Sequence, residues 1–342
     1  MSGISGLISR ERITPDDAAR VAAMSRALVH RGPDGAGEHR APHVALAARR
    51  LSVIDLEGGS QPLYNADRTL SLVANGEIYN HVELRQRLTP LGHRFTTQSD
   101  CEAILHAYAE YGLDCVNHLR GMFAFALWDG ARRRLVLARD PLGEKPLYLY
   151  ERDGRLLFAS EMKSLLRSGC VPFELDAEAV NLYFHYQYVP EPRTAVKGVR
   201  KLDAAHLLVV EVEPWNVREQ CYWRMDDAPP VEGAAPALIR EQLETVSEIV
   251  VRADVPVGVA LSGGLDSSAV AALASRRVKG ALHAFSVGYA GQPEGPDERG
   301  EAHALARHLG LPFHEVEIET KEVVEFFPEL IYWRDDPVAD YS

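Results

Sequence analysis

The chain has 342 residues, with 37 Lys and Arg against 49 Asp and Glu, a formal net charge of −12. At roughly 150 residues per domain this length predicts two domains, and 46% apolar with 25% charged residues excludes a wholly disordered chain. The acidic balance excludes a uniform binder of phosphate backbones, so no nucleic-acid partner is expected.

In chain order, residues 2–9 alternate apolar and polar and predict a strand. Pro15-Asp16-Asp17 opens an apolar-periodic stretch to residue 28 that predicts a helix with acids at its positive end. β-rich runs follow at 44–48, 70–73, 123–128, 135–138 and 156–159, with Asp129-Gly130 and Asp153-Gly154 as turns. Residues 101–111 have helical periodicity. This half predicts antiparallel sheets with helices packed outside. Residues 189–233 are irregular and Pro-rich, and 226–233 (DDAPPVEG) read as a linker. The rhythm then changes to a helix at 236–253, a buried strand at 255–261, a helix at 267–278 and a strand at 282–289. A helix at 297–309, a strand at 312–318 and a helix at 321–332 complete it. Strands alternating with helices predict a parallel sheet. Only three such strands precede Ser342, and so small a parallel sheet predicts an incomplete second domain.

No apolar run reaches the roughly 18 residues of a membrane span, and the N-terminus lacks a basic-then-apolar signal pattern, so no membrane partner is expected. Cys101, Cys115, Cys170 and Cys221 lack C-x-x-C spacing. That argues against a zinc site or a disulfide framework, and for a reducing cytoplasm.

The sharpest local signal is Ser262-Gly263-Gly264-Leu265-Asp266-Ser267-Ser268, between a predicted strand and a predicted helix. Two glycines let backbone approach a ligand, and helix N–H groups point at an anion. Ser262, Ser267 and Ser268 add hydroxyl donors, and Asp266 can help hold a Mg2+ ion that screens phosphates. A turn with an N-cap is the plainer alternative. No G-x-x-x-x-G-K-[ST] lysine is present, so γ-phosphate transfer is not expected.

This heptad resembles the pyrophosphate loop of enzymes that cleave ATP to AMP and pyrophosphate. With Asp254-Val255-Pro256-Val257-Gly258-Val259-Ala260-Leu261 before it, it is similar to the glutamine-dependent asparagine synthetases in particular. His283-Ala284-Phe285-Ser286-Val287-Gly288 resembles the second strand of that family. The resemblance implies nucleotide contacts at Leu261 and Val287, both of which also read as plain core residues. The N-terminal half resembles the glutaminase domain of the same family. It carries His30-Arg31-Gly32-Pro33-Asp34-Gly35, Arg50-Leu51-Ser52-Val53-Ile54-Asp55, Asn75-Gly76-Glu77-Ile78-Tyr79-Asn80 and Ser99-Asp100-Cys101-Glu102. Gly121-Met122-Phe123-Ala124-Phe125-Ala126 and Arg139-Asp140-Pro141-Leu142-Gly143 follow, in the expected order.

The fold implied is an α+β N-terminal-nucleophile sandwich (αββα), then an α/β parallel-sheet adenine-nucleotide-binding domain. The expected boundaries are a glutaminase domain at 1–205, a linker at 206–235 and the first part of a synthetase domain at 236–342. Hydrolysing an amide needs a nucleophile, a base and oxyanion donors. The resemblance assigns the donors to Asn75 and the backbone of Gly76. It assigns the α-carboxylate of glutamine to Arg50 and the α-ammonium to Asp100, with Leu51, Val53 and Glu77 in the same pocket. Salt bridges for Arg50 and Asp100, and a turn at Asn75-Gly76, are the alternatives.

The family's nucleophile is a cysteine directly after the initiator Met, whose freed α-amine is the base; here that position is Ser2. A hydroxyl needs far stronger base help than a thiol. Three readings stand: inactivation that leaves glutamine binding intact, a slow serine nucleophile, or a scaffold of the kind found in β-lactam synthetases. The family's acceptor-acid site and a second acidic phosphate motif lie beyond residue 342. The expected reaction is adenylation of aspartate by Mg-ATP and its amidation by ammonia from glutamine. An amidotransferase for another carboxylic acid, or a truncated inactive relative, are the rivals. Glutamine, ATP and the acceptor acid are the expected partners, and a homodimer stays open.

Overall fold

The computed structural model describes residues 1–290 and 298–339. The chain divides into two compact units, residues 1–228 with 334–342, and residues 229–333.

The first unit begins with β1 (Gly3–Ser9), α1 (Pro15–Arg26), β2 (Gly35–Ala41), β3 (Val44–Arg50), β4 (Leu63–Tyr64) and β5 (Leu70–Ile78). Next come α2 (His81–Leu88), α3 (Glu102–Tyr111), β6 (Gly121–Asp129), β7 (Arg134–Arg139), β8 (Tyr148–Arg152) and β9 (Arg155–Ala159). It ends with α4 (Met162–Arg167), α5 (Ala177–Tyr186), β10 (Val199–Lys201), β11 (His206–Glu211) and β12 (Asn216–Cys221). Two six-stranded sheets result, in the orders β10-β8-β9-β1-β3-β2 and β12-β11-β7-β6-β5-β4. Their strand pairs are antiparallel.

Three cores explain the layers. Ile4, Leu46, Val73, Ala124, Ala126 and Phe158 pack between the sheets. Leu7, Ala45 and Leu157 pack outward against Val21 and Met24 of α1 and Leu165 of α4. Leu72, Phe123 and Phe125 pack outward against Leu84 and Leu88 of α2 and Ile104 and Leu105 of α3. Each sheet is thus covered on both faces, giving the expected αββα order. It also explains why 123–128 reads as a continuous apolar run: alternate residues of β6 enter different cores, so period-two polarity disappears. The α1 start is closed by a reciprocal capping box, Thr14 Oγ1 accepting from Asp17 N at 3.2 Å and Asp17 Oδ2 accepting from Thr14 N at 3.0 Å.

The stretch 206–235, expected as a linker, departs from that reading. Its first part is the β11–β12 hairpin, and β11 buries Leu207 in one core and Leu208 and Val210 in another. The composition signal there came from flanking Pro and charged residues, while the four apolar residues 207–210 carry the burial. The last described residues, expected in the second domain, return to the first unit. Asp335 caps α4, accepting from the backbone of Met162 and, at 2.9 Å, of Lys163, and Ala339 N donates to Gln187 O at 2.8 Å.

The second unit contains α6 (Ala235–Val250), β13 (Gly258–Ala260), α7 (Leu265–Ala274), β14 (His283–Tyr289), α8 (Arg299–Leu309), β15 (Phe313–Ile318) and α9 (Thr320–Arg334, leaving the unit at its last residue). The strands form a parallel sheet in the order β13-β14-β15. The strand expected at 255–261 shortens to three residues, with only Val259 of the three buried. On β14, Ala284, Ser286 and Gly288 are buried, whereas Phe285, Val287 and Tyr289 are exposed. The buried side packs with Ala271 and Ala274 of α7 and Ala302 and Ala306 of α8. The expected helix at 297–309 begins outside the described residues, and α8 starts at Arg299.

Candidate active site

Strand register brings the N-terminal motifs together. Gly3 of β1 pairs with Arg49 of β3, and Gly76 of β5 pairs with Phe123 of β6, so all four strands offer the same end of the sandwich. A cleft at that end is lined by Ser2, Arg50, Leu51, Val53, Asn75, Gly76, Glu77 and Asp100, every residue assigned to the glutamine pocket by resemblance.

Ser2 is held by its neighbours' backbone and by Arg31. Its carbonyl accepts from Arg31 Nε at 2.9 Å, and its Oγ accepts from Leu51 N at 3.2 Å. The Leu51–Asp55 turn is fixed in turn by Asp34, whose Oδ2 accepts from Ser52 N at 2.8 Å. Gly32 has a steric reason, since a Cβ there would lie 2.3 Å from the Arg49 carbonyl carbon. Arg50 spends its guanidinium on the loop beside it: Nη2 donates to Ile54 O at 2.8 Å and Asp55 O at 2.7 Å, and Nη1 to Leu56 O at 3.3 Å. It bridges loop carbonyls, not the surface carboxylate of the alternative reading.

Asn75-Gly76 is not a turn. Both residues sit inside β5, and a Cβ on Gly76 would lie 2.1 Å from Met122 O, so the close pairing with β6 requires glycine. Asn75 is 1% exposed, and neither its Oδ1 nor its Nδ2 has a hydrogen-bond partner. A buried amide left unpaired costs roughly 1–3 kcal/mol, and such groups call for an explanation. Asn75 lines the cleft.

Two carboxyls, Glu77 and Asp100, line the cleft beside Arg50 and Lys145. Burial, and then the neighbouring Asp100, push the Glu77 carboxyl up. Burial also pushes Asp100 up, against hydrogen bonds such as the 2.7 Å donation from Ile78 N to its Oδ2. Two adjacent carboxyls that resist ionising together suit an ammonium group.

Several residues of the cleft carry no signal in the sequence reading. Lys145 lines it, with Nζ 3.4 Å from Met1 Sδ, and burial pushes its ammonium toward the neutral form. Gln61 also lines it, exchanging hydrogen bonds with both backbone groups of Ala74. Lys145 lies two residues past the Arg139–Gly143 motif, which was the available pointer; Gln61 has none. Cys101 is in the cleft too, but burial and Asp100 hold its thiol well above the usual range, so it does not replace a reactive thiolate.

In the second unit the Ser262–Ser268 segment forms a loop entering α7, with Gly264 as its N-cap and Gly263 at φ +83°. Ser262 Oγ lies 3.0 Å from Ser267 Oγ and accepts from Gly264 N at 3.3 Å, so the hydroxyls close the loop on itself. A Cβ on Gly263 would lie 2.6 Å from Glu301 Cβ, which ties this glycine to the packing of α8. Asp266 and Gly264 are exposed, and Ser268 is half-buried. Leu261 is in the core with Ala284 and Ala302, whereas Val287 is 54% exposed on the open face of β14.

Residues 1–223 match the family model of the glutamine amidotransferase domain, and residues 238–342 that of asparagine synthase. Asparagine synthetase [glutamine-hydrolyzing] 1 of Bacillus subtilis is 36% identical over 99% of this chain and 54% of its own length. Asparagine synthetase [glutamine-hydrolyzing] 2 of Oryza sativa is 36% identical over 97% and 52%. The chain thus spans about half the length of the curated relatives it matches. Among solved structures, an allosteric regulatory enzyme of purine biosynthesis shares the fold, at TM-score 0.50 and 17% identity, over 92% of this chain and 80% of that one. The chain belongs to the glutamine-dependent asparagine synthetase family, with a glutamine amidotransferase domain followed by asparagine synthase sequence.

Proposed function

We propose that this chain is part of an ATP-dependent amide-forming ligase that takes nitrogen from glutamine or free ammonia and amidates a carboxylic acid, aspartate first among the candidates. The observation that carries the reading is the unpaired, buried amide of Asn75 in a cleft with Ser2, Glu77 and Asp100. In this reading the glutamine ammonium faces Glu77 and Asp100, and its side-chain carbonyl oxygen lies against Asn75 Nδ2 and the Gly76 backbone. Removal of Met1 frees the Ser2 amine to take the Oγ proton as Oγ bonds the amide carbon. As the oxyanion collapses, the Ser2 ammonium returns that proton to the leaving nitrogen, the C–N bond breaks and ammonia is released; water then hydrolyses the ester to glutamate. Because hydroxyl is a poor nucleophile without strong base help, this step is slow with Ser2 in place.

The amide-forming step needs an activated acid. The carboxylate attacks the α-phosphorus of ATP, pyrophosphate leaves, and ammonia displaces AMP from the acyl carbon. Gly263, Gly264 and the hydroxyls of Ser262, Ser267 and Ser268 would cradle the pyrophosphate at the α7 N-terminus. Leu261 and Val287 remain the proposed neighbours of the adenosine part. The donor set fits Mg2+: Asp266 is an exposed carboxylate in the first turn of α7, outside the hydroxyl network, and Mg2+ is commonly held by one or two carboxylates plus phosphates. Such an ion would screen the phosphate charge.

The test is formation of AMP and pyrophosphate from Mg-ATP and aspartate, with ammonium or glutamine supplied in parallel. AMP and asparagine with ammonium alone support the ligase reading with a silenced Ser2 site. Absence of AMP with aspartate and with a panel of other acids would overturn it and favour the inactive relative that Ser2 suggests.

A further inference from the structure

The strands that end at the amide cleft, and β2 paired along β3, have opposite ends as well. Ala41 of β2 pairs with Val44 at the start of β3, and Leu70 at the start of β5 pairs with Asp129 at the end of β6. A second cleft of about 640 Å3 lies at this far end, lined among others by Arg12, His39, Arg68, Trp128, Arg133 and Glu213. Its volume is in the range of small-molecule sites.

The charge of this cleft runs against that of the chain. In a protein of net charge −12, the lining gathers three arginines against a single carboxylate, Glu213, which lies 2.6 Å from Arg133 Nη1. Two formal positive charges therefore remain before any histidine is protonated. Among the described residues, neither Arg12 nor Arg68 has a carboxylate within 4.0 Å. Arg68 stacks its guanidinium 4.2 Å above the Tyr64 ring, and Tyr64 in turn meets His39 edge-on at 5.7 Å. The Nε2 of His39 is buried without a hydrogen-bond partner.

The backbone gives an independent observation. Arg68 (φ +53°) and Arg133 (φ +49°) both occupy the left-handed region, which favours glycine or asparagine. Among the residues that line the cleft, the two at positive φ are both arginine, whose planar fork suits phosphate.

We propose that this far cleft binds a small phosphate-bearing dianion between Arg12, Arg68 and Arg133. A site for a monocarboxylate would not need two uncompensated guanidinium groups. The assignment is independent of the amide chemistry and of the Ser262–Ser268 loop.

Peptide-resolved hydrogen–deuterium exchange on the full chain tests it, with inorganic phosphate, pyrophosphate and AMP added at matched ionic strength. The expected result is saturable protection of segments 39–43, 64–70 and 128–133. The Arg12→Gln, Arg68→Gln double variant should weaken it at least about tenfold, by loss of charge-assisted hydrogen bonds, with an unchanged melting temperature. Protection by either inorganic ion without AMP assigns a free anion, and stronger protection by AMP assigns a nucleoside phosphate; both support the site. Binding at residues 262–268 is read separately in the same spectra. No protection at the far cleft, undiminished protection in the double variant, or equal protection by sulfate overturns the proposal.

Discussion

Arg31 joins Ser2 to Glu161: its Nε lies 2.9 Å from the Ser2 carbonyl and its Nη1 3.0 Å from Glu161 Oε1. The same carboxylate oxygen lies 2.9 Å from His30 Nε2, and Lys163 Nζ is 2.6 Å from the other. Ser2 is thus tied, through Arg31, to a carboxylate that enters the chain 130 residues after that arginine.

That arrangement fixes a pH dependence. Burial alone would raise the Glu161 carboxyl, but hydrogen bonds from Lys163 and Arg31 outweigh it and hold the group below its ordinary value. An unfolded glutamate titrates at about 4.3. The stabilisation is therefore present above that pH and is lost as pH falls through the lower folded value. Glu161→Gln is expected to lower stability at pH 7 by about 3 kcal/mol, since it breaks a buried ion pair, and to flatten the acid limb. Melting temperature against pH from 7 to 3 for both proteins checks this.

Ser2→Cys is expected to raise glutaminase turnover by on the order of 10²-fold, because a thiol is already partly ionised where a hydroxyl depends wholly on a base. Glutamate release with N-terminal mass analysis reads both turnover and Met1 removal. An unchanged rate with Met1 removed would identify the domain as a scaffold.

In that Ser2→Cys background, Asn75→Ala should cost about 10²- to 10³-fold in kcat, the loss typical of one oxyanion donor. Stability should not fall, since the amide removed is buried and unpaired. A large loss of melting temperature would make Asn75 a structural residue instead.

Two glycine substitutions separate the halves. Gly76→Ala forces a Cβ to 2.1 Å from Met122 O and should destabilise the first unit by about 1–3 kcal/mol or more. Gly263→Ala meets Glu301 Cβ at 2.6 Å at a positive φ and should weaken ATP binding without changing glutamine binding. Paired titrations of the two ligands on each variant measure this.

The elements legible in the sequence were those with strong local grammar. The α1 helix showed its acids and periodicity, and the parallel unit showed its alternating strands and helices. Much shorter or polar strands escaped, such as β2, whose Gly35–Ala41 sequence GAGEHRA pairs along its length with β3 yet has no apolar run. β11 escaped because Pro-rich and charged neighbours masked it. In the cleft, Ser2, Arg50, Asn75 and Asp100 were found through motifs, while Lys145 and Gln61 were not, nor was Glu161 behind Arg31, because their meaning exists only once distant strands pair.

By itself the sequence determined which chemical groups this protein carries: a hydroxyl where its family has a thiol, an Asn-Gly pair, and a serine- and glycine-rich loop before a helix. Spacing and residue type suffice for that, since they act within a few residues. Only the tertiary structure decided that Asn75 is buried without a partner, that Arg50 is tied to its own loop, and that the arginines border a single cleft. Those properties depend on register between strands and on burial, which arise when segments tens of residues apart exclude water from one another.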